Sequence, residues 1–342
     1  MDSCTERNIS RSNRTSLLSG ARLSAGGLHL GHYVGCFLPI GKLREPLNAL
    51  YFVILDRYST PFGASIHTSQ TLAEMMADVL AIQCPVQIII GLGSQLEKLI
   101  HPVADVFAHF VTLRQLENVY PARRWLKRRE RNPRMSEFLF PLEIAATYTL
   151  LNCKYLLAND DARRFVSFAG SLFRKVRNVY DQFPGMPPQL LHGPVPRLFG
   201  WNYRKMSKGN NNAIYISDSD DVIQRKIDQL FSYKQLQLAF PCAIKLTGAR
   251  FEVPPQFAPN WFLRAFFPNR LDLLEQCRDS RNHLEIKSIL LTKLIDTVRP
   301  IRERRTKLIR ELTYLSEQLQ EGTRLMLEVA EENFKRVMRS FE

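Results

Sequence analysis

The sequence has few cysteines, no long apolar run and no signal-peptide core, and each of these absences excludes a class of protein. Its six cysteines are scattered along 342 residues without a CxxC pair, which argues against a disulfide scaffold and against a zinc site. Apolar runs such as 49–55 are far too short to span a bilayer. Residues 1–15 are polar and lack the apolar segment of a secretion signal. We therefore expect a cytoplasmic protein with reduced thiols and no membrane partner.

What the sequence does have is an ordinary globular composition with an excess of basic residues. Hydrophobic residues make up 45% and charged residues 23% of the chain, and the length predicts about two domains. Lysine and arginine number 47 against 33 acidic residues, a net charge of +14. Such an excess favours a polyanionic partner, because the phosphates of a nucleic acid attract lysine and arginine whatever its base sequence. Solubility alone is the alternative explanation.

Hydrophobic patterning in the first part of the chain predicts a parallel sheet. The runs at 49–55, 87–91 and 155–158 are apolar and suit buried strands. Apolar residues recur at helical spacing over 72–80, and a helix over 141–151 precedes the third strand. Strand, helix and strand in this order predict a right-handed crossover in a parallel sheet.

The last part of the chain is predicted to be helical throughout. One helix begins near Ile286 and is interrupted by Pro300, a second is ended by Gly322, and a third continues to Phe341. We therefore expect a parallel-sheet α/β domain followed by an all-helical C-terminal domain. The expected segments are a polar tail at 1–17, an α/β domain at 18–200, a loop and connector at 201–220 and a helical region at 221–342.

The first sequence motif with a possible chemical role is His29-Leu30-Gly31-His32, which follows Gly26-Gly27. The glycines allow close backbone approach, and the string opens a helix. Free N–H groups and the positive end of the dipole at a helix N-terminus suit a phosphate. Two histidines three residues apart share one helical face and can donate to a triphosphate together. Alone, the string also fits a metal pair or chance.

The second string is Lys205-Met206-Ser207-Lys208-Gly209, which follows a proline-rich connector. Two lysines that flank a small hydroxyl residue suit a loop that clamps a departing pyrophosphate. Their charge matters most where negative charge develops in the transition state. Alone, the string also fits an exposed loop.

Together and in this order, the two strings resemble the HIGH and KMSKS signatures of class I aminoacyl-tRNA synthetases. The resemblance extends from about residue 18 to the C-terminus and is sharpest to the tryptophanyl-tRNA synthetase family. The strings that carry it are HLGHYVG at 29–35, ERNP at 130–133, KMSKGNNNAIYISDS at 205–219, PIRERR at 300–305 and EGT…VAEE at 321–332.

This resemblance implies that the α/β domain at 18–200 is a Rossmann-type parallel-sheet catalytic domain and that the helical region at 221–342 binds the anticodon. It also implies a homodimer whose partners are an amino acid and tRNA. The amino acid attacks the α-phosphorus of ATP, tRNA then accepts the aminoacyl group, and Mg²⁺ accompanies ATP, held largely by phosphates and water. The resemblance assigns the catalytic roles to His29 and His32 at the ATP phosphates and to Lys205 and Lys208 at the leaving pyrophosphate. It implies ATP-binding roles for Gly31, for Asp161 at the ribose, and for Met206 and Ser207 at the adenosine side.

The amino-acid pocket departs from the family pattern. Phe140 stands where the family has a tyrosine near the substrate amine, Thr147 where an aspartate accepts the indole N–H, and Ala162 where a glutamine helps bind the amine. Each hydrogen bond to a charged group contributes roughly 1.5–3 kcal/mol. Selectivity built on a substrate N–H can reach about 10⁴-fold. A replacement carboxylate is expected from one of three residues, and the sequence does not choose among them: Asp56, Glu143 and Asp160.

A basic run precedes this pocket, and the loop that follows it is shorter than in the family. Arg131 and Arg134 are candidates for a phosphate or tRNA contact, and Arg134 is a candidate for the role of a phosphate-binding lysine. A solvated helical face explains the run equally well. Because loop closure assembles and dries such sites, the shortened loop puts closure in doubt.

Three hypotheses follow from these observations. The first is an aminoacyl-tRNA synthetase of the tryptophanyl type with altered amino-acid choice. The second is a specialised paralogue that acts outside ribosomal translation. The third is an inactive synthetase-like module that binds tRNA or another partner, and it predicts decay of the ATP motifs. Those motifs are kept while the amino-acid pocket is replaced, which indicates a changed substrate more than lost chemistry.

Overall fold

The structure, a computed structural model, describes residues 15–23, 26–57, 69–119, 135–232, 234, 246–247, 250–251 and 257–342. The strands of its main sheet are β1 (Thr15–Arg22), β2 (Leu47–Leu55), β3 (Gln87–Leu92), β4 (Tyr155–Leu157) and β5 (Gln189–Leu191). The helices are α1 (Leu30–His32), α2 (Ser69–Ala81), α3 (Glu97–Ala108), α4 (Leu113–Val119), α5 (Met135–Leu151), α6 (Arg163–Arg177), α7 (Asp220–Leu230), α8 (Ala258–Phe266), α9 (Leu271–Gln276), α10 (His283–Leu308) and α11 (Leu312–Arg339). A hairpin of two short strands, β6 (Leu246–Thr247) and β7 (Arg250–Phe251), lies between α7 and α8.

The five strands form one sheet in the order β3-β2-β1-β4-β5, and every neighbouring pair is parallel. Residues 49–54 of β2 are buried without interruption, as expected of a strand covered on both faces. The predicted α/β class with a Rossmann-type parallel sheet followed by a helical C-terminal region is confirmed.

Helices pack on both faces of this sheet because successive side chains of its strands point to opposite sides. Tyr51 and Val53 of β2 join an apolar cluster with α3, α5, α6 and α11. Phe52 and Ile54 point the other way and join a cluster with α2 and the segment after α1. A third cluster joins α1 to α7, α8 and α10. The C-terminal helices thus pack directly on the elements that carry the first motif.

Two expected helix boundaries in the C-terminal region are wrong. Pro300 lies inside α10, which continues to Leu308, and the break falls at residues 309–311. Gly322 lies inside α11 against the backbone of Ile90, where an added Cβ would overlap the carbonyl oxygen. Thr323 accepts the Leu92 N–H at 3.4 Å. Gly322 therefore allows a helix to cover β3, the edge strand of the sheet, and does not end one.

Candidate active site

The two motif-bearing segments meet at the carboxyl edge of the sheet. His29 follows β1 and Asp161 follows β4, and these two strands are neighbours. From β1 the chain proceeds to β2 and β3 on one side, whereas β4 is followed by β5 on the other. Ligands of open α/β sheets bind outside the carboxyl ends at such a switch point. The topology therefore places the candidate site in the gap between β1 and β4.

A glycine turn held by a buried carboxylate leads into the first motif. Gly26 and Gly27 have φ angles of +86° and +65°, a region in which glycine is favoured. Leu28 donates its N–H to Asp78 Oδ2 at 2.5 Å, and a side chain at Gly27 would overlap that carboxylate. Arg305 of α10 lies 2.5 Å from the other oxygen of Asp78. Asp78 belongs to no recognisable motif, and its only signal in the sequence is a charge within the apolar pattern of α2.

The two histidines lie against each other at the start of α1. Their ring centroids are 3.9 Å apart, and the backbone N–H of His29 donates to His32 Nδ1 at 3.3 Å. Gly31 is required here, because a Cβ would lie 2.8 Å from the His29 ring. Burial, reinforced by His32, Lys208 and Lys205, lowers the pKa of His29 well below its usual value. Burial and the same two lysines lower the pKa of His32 to about 3. Both rings are therefore neutral at pH 7.

The lysine motif is organised by a buried asparagine. Asn212 is fully buried and accepts the Ser207 N–H at 2.9 Å. Its amide donates to Asn202 Oδ1 at 2.6 Å, to the Arg204 carbonyl at 3.0 Å and to the Lys205 carbonyl at 3.2 Å. This role was not predicted from the sequence, although the NNN run after the lysines was part of the motif. Asn212 therefore sets the backbone path of the loop that carries both lysines.

A short antiparallel bridge joins the two motifs, which are far apart in the chain. Leu30 donates its N–H to the Ile214 carbonyl at 2.8 Å, and Ile216 donates to the Leu28 carbonyl at 3.0 Å. His29 and Tyr215 form the bridge pair between these bonds. Met206 is buried in the same apolar cluster as Leu30. The tertiary structure thus brings the HLGH and KMSK strings together.

The lysines carry the positive charge of this site. Lys205 forms an ion pair with Asp161 across the gap, and both side chains are partly exposed. Burial lowers the pKa of Lys208 to about 8, while Asp78 and Glu74 act in the opposite direction. Asn159 donates to the Gly31 carbonyl at 3.3 Å. Neutral histidines beside cationic lysines suit a ligand that bears several negative charges.

An open cavity lies at the ends of β2 and β3, on one side of this site. Among its lining residues are Asp56, Glu143 and Thr147. Thr147 is buried and donates its hydroxyl to the Glu143 carbonyl at 2.8 Å, one helical turn away. Of the three residues predicted for the amino-acid pocket, Thr147 is thus the one on this cavity.

The other two predicted pocket residues lie elsewhere. Phe140 is buried edge-on against Phe165, with ring centroids 5.5 Å apart, and the Arg22 guanidinium lies 5.8 Å from its ring. Ala162 is half-buried in the turn that precedes α6. Neither lines the cavity. Arg131 and Arg134, the predicted phosphate or tRNA contacts, fall outside the described residues.

Within the described part of the chain, no group of three or more His, Cys, Asp and Glu side chains is placed to hold a metal ion. No helix within the same ranges combines the length and the apolar character needed to cross a membrane. The described cysteines, Cys36, Cys84, Cys153 and Cys277, are free thiols.

Comparison with known proteins agrees with this geometry. Residues 10–247 match the family model described as tRNA synthetases class I (W and Y). The chain is 26% identical to a tryptophan–tRNA ligase of Chlamydia caviae, with 95% of each chain covered. It is 27% identical to that of Treponema pallidum, over 94% of this chain and 95% of the relative.

Solved structures show the same fold. The tryptophanyl-tRNA synthetase of Mycoplasma pneumoniae superposes with a TM-score of 0.69 at 16% identity, covering 96% of this chain and 97% of that one. The enzyme of Campylobacter jejuni, solved with ADP and tryptophan, gives 0.67 at 17% identity, covering 95% and 99%. The resemblance drawn from the motifs is confirmed, and since the family model spans more than half of the sequence, the chain belongs to the class I tRNA synthetases of the tryptophan and tyrosine group.

Proposed function

We propose that this protein activates an amino acid with ATP to an aminoacyl adenylate and transfers it to tRNA. The observation that carries the proposal is the bridge between residues 28–30 and 214–216. It holds two neutral histidines beside a loop with two lysines, at the switch point of a parallel sheet. Family membership supports the same reaction class.

In this proposal, catalysis consists of positioning and electrostatic stabilisation. A carboxylate oxygen of the amino acid attacks the α-phosphorus, the bond to the bridging oxygen breaks, and charge accumulates on the leaving pyrophosphate. His29 and His32, being neutral, donate hydrogen bonds to the phosphates. Lys205 and Lys208 stabilise the pyrophosphate as it departs. Mg²⁺ bound to the ATP phosphates would neutralise part of their charge.

Nucleotide binding requires the ion pair between Lys205 and Asp161 to open. Lys205 then turns to the phosphates and Asp161 to the ribose, while Met206 and Ser207 pack against the adenosine side. Because both partners are partly exposed, the pair contributes roughly 1 kcal/mol at most, and ATP can replace it. The loop therefore has two states, one closed by the Lys205–Asp161 ion pair and one that binds ATP.

We further propose that the choice of amino acid differs from that of tryptophan ligases. Thr147 stands on the cavity with its hydroxyl hydrogen already donated to a backbone carbonyl. Phe140 and Ala162 offer no polar group to a substrate amine. A homodimer in the cytoplasm, with a helical region 221–342 that binds the anticodon arm and with Arg131 and Arg134 near phosphates, completes the proposal.

The test is ATP–pyrophosphate exchange against all twenty amino acids without tRNA. Exchange with any amino acid supports the proposed chemistry, and its identity decides whether the choice is altered. If an amino acid is activated but no tRNA accepts it, the result would favour the second hypothesis, a paralogue that acts outside ribosomal translation, over the synthetase. If no amino acid gives exchange and calorimetry still shows ATP binding, the result would favour the inactive binding module.

Lys208→Ala is the matching variant. We expect it to lower the exchange rate by about 10²-fold or more, because it removes a charge that stabilises the leaving group. The control is Lys335→Ala, the same substitution on an exposed position of α11. Both variants should keep the melting temperature of the parent. Full activity of Lys208→Ala would refute the role of the loop.

A further inference from the structure

The first lysine of the KMSK string lies on a tight β-hairpin over residues 198–206, here named the lysine hairpin. Two backbone hydrogen bonds of 2.9 Å join its strands: the N–H of Met206 donates to the Leu198 carbonyl, and the N–H of Gly200 donates to the Arg204 carbonyl. Residues 201–203 form the loop between the strands. Lys205 therefore lies on the returning strand, two residues after the end of this loop.

Tyr203 occupies the position of the loop that suits glycine. A three-residue hairpin loop consists of a type I turn followed by a residue in the left-handed region, and Tyr203, its third residue, has a φ of +60°. Glycine is the usual residue there, because a Cβ crowds the neighbouring carbonyl oxygen. The other non-glycine residues with a positive φ in the described part of the chain are Asn152 and Asn211, and asparagine tolerates this region. Strain at a bulky residue points to a role for its side chain.

The ring of Tyr203 packs into the helical region. It is stacked on Phe257 with ring centroids 6.2 Å apart, and its hydroxyl lies 3.5 Å from the Leu230 carbonyl at the end of α7. The apolar cluster that receives the ring, here named the helical cluster, has these buried members: Phe257, Leu263, Leu273, Cys277 and Ile286. Every other described residue of this cluster lies at position 231 or later. The ring thus anchors the lysine hairpin to the C-terminal helices.

The backbone of Lys205 lies between this anchor and a second one. Met206, the next residue, is 1% exposed and belongs to the cluster that contains Leu30. The Lys205 carbonyl accepts hydrogen bonds from Asn210 at 2.8 Å and from Asn212 at 3.2 Å. These contacts fix the chain on the C-terminal side of Lys205, and the ring two residues earlier fixes it on the other side.

Such anchoring matters for a lysine whose charge acts on a leaving group. The Lys205 side chain is partly exposed in its ion pair with Asp161, so it can turn to a nucleotide while its backbone stays in place. Electrostatic stabilisation requires a charge that is already positioned when the transition state forms. A displacement of about 1 Å can lower a rate by about 10²-fold.

We propose that Tyr203 is a positioning residue, which anchors the lysine hairpin to the helical region and thereby holds the backbone of Lys205 in place for catalysis. This inference rests on the proposed function, since it concerns a lysine of that site. It also accounts for a bulky residue at a glycine position, because the packing of the ring compensates the unfavourable backbone conformation.

Tyr203→Asn tests the ring separately from the backbone, since asparagine tolerates a positive φ. In ATP–pyrophosphate exchange with the amino acid that the protein activates, kcat should fall about tenfold or more while the KM for ATP changes by less than about twofold, because the lost contribution belongs to the transition state. Tyr203→Gly, which also removes the backbone strain, should behave alike. Tyr203→Phe keeps the ring and should keep kcat within about twofold of the parent.

Two controls separate positioning from stability. If Tyr203 acts through Lys205, Tyr203→Asn should change kcat by less than about twofold when Lys205 is already alanine. Phe231→Leu removes a ring that lies 5.9 Å from Phe257 in the helical cluster but outside the hairpin. This variant should have a lower melting temperature than the parent and an unchanged kcat well below that temperature.

Hydrogen exchange of the backbone amides over 198–206, measured by mass spectrometry, tests the anchor without any activity. These amides should exchange about tenfold or more faster in Tyr203→Asn than in the parent, because the hairpin opens more often. In Tyr203→Phe and Phe231→Leu they should exchange within about twofold of the parent rate.

Several results would overturn the inference. These are parent kcat in Tyr203→Asn, an equal loss of kcat with and without Lys205, an equal loss in Phe231→Leu, or hydrogen exchange of the hairpin that Tyr203→Asn leaves unchanged. If the parent gives no pyrophosphate exchange with any amino acid, the proposed function fails, and hydrogen exchange by itself decides whether Tyr203 anchors the hairpin. Full pyrophosphate exchange in both the parent and Tyr203→Asn would refute the inference and leave the proposed function intact.

Discussion

At the scale of single residues, the site depends on how burial distributes charge. His29 and His32 are both kept neutral, whereas Lys208 keeps its charge at pH 7 with a pKa of about 8. Desolvation disfavours the charged form of each group, and the two lysines add to the effect at the histidines. The result is a site in which the histidines donate hydrogen bonds and the lysines carry charge.

The pKa of Lys208 predicts a pH dependence of ATP use. The side chain is protonated below about pH 8 and loses its charge above that pH. The kcat/KM for ATP, which reports the free enzyme, should therefore fall as pH rises past about 8. Lys208→Arg keeps a charge throughout this range, so its falling limb should disappear. A wild-type profile that stays flat to alkaline pH, or an identical limb in Lys208→Arg, would contradict this assignment.

At the scale of elements, α11 packs closely on the sheet because Gly322 has no side chain. The helix lies against the Ile90 backbone of β3, and the neighbouring Thr323 accepts the Leu92 N–H. Helical propensity disfavours glycine by about 1 kcal/mol relative to alanine. The close approach to a buried edge strand outweighs that preference here, since no side chain fits the contact.

Gly322→Ala should therefore destabilise the protein although alanine is the better helix former. We expect the free energy of unfolding to fall by about 2 kcal/mol, because overpacking forces α11 away from β3. Urea denaturation measures the change. The matched control is Gly170→Ala in α6, where an added Cβ would lie 3.6 Å from Pro187 in ordinary contact. That variant should gain up to about 1 kcal/mol, and equal effects of the two changes would refute the close-approach argument.

At the scale of the whole molecule, the C-terminal helices reach back to the active site. Arg305 of α10 pairs with Asp78, which holds the turn before His29. Arg302 donates to the Asp218 carbonyl at 2.6 Å, just after the strand-like segment that bridges the two motifs. The PIRERR string thus connects the helical region to both ATP motifs, and a partner bound to those helices is structurally linked to the site.

The net charge of +14 predicts how a tRNA partner would bind. Affinity should fall at least about tenfold between roughly 50 mM and 200 mM salt, because cations on phosphates release counterions. Fluorescence anisotropy with labelled tRNA measures this slope. Affinity for an amino acid without net charge should change by less than about twofold over the same range. A tRNA affinity that does not depend on salt would show that the basic charge is not used to bind tRNA.

Much of the fold and of the ATP site was predictable because its signals are local. The β2 and β3 runs are apolar enough to be recognised as buried strands, and β4 was placed to within one residue. HLGH and KMSK are contiguous strings, and their histidines and lysines are residue types suited to binding phosphate. Helix ends were less predictable, since Pro300 and Gly322 favour termination locally while packing on α2 and β3 overrides them.

By itself, then, the sequence determined the family, the strands β2, β3 and β4 and the identity of the residues suited to phosphate. The tertiary structure decided what those residues do to one another. It placed Asp78 and Arg305 behind the glycine turn and paired Lys205 with Asp161. Each of these depends on atoms contributed by distant segments, and both burial and pKa are properties of that shared environment. No local string contains them, because a side chain's neighbours across the fold are set only when the sheet and its helices pack.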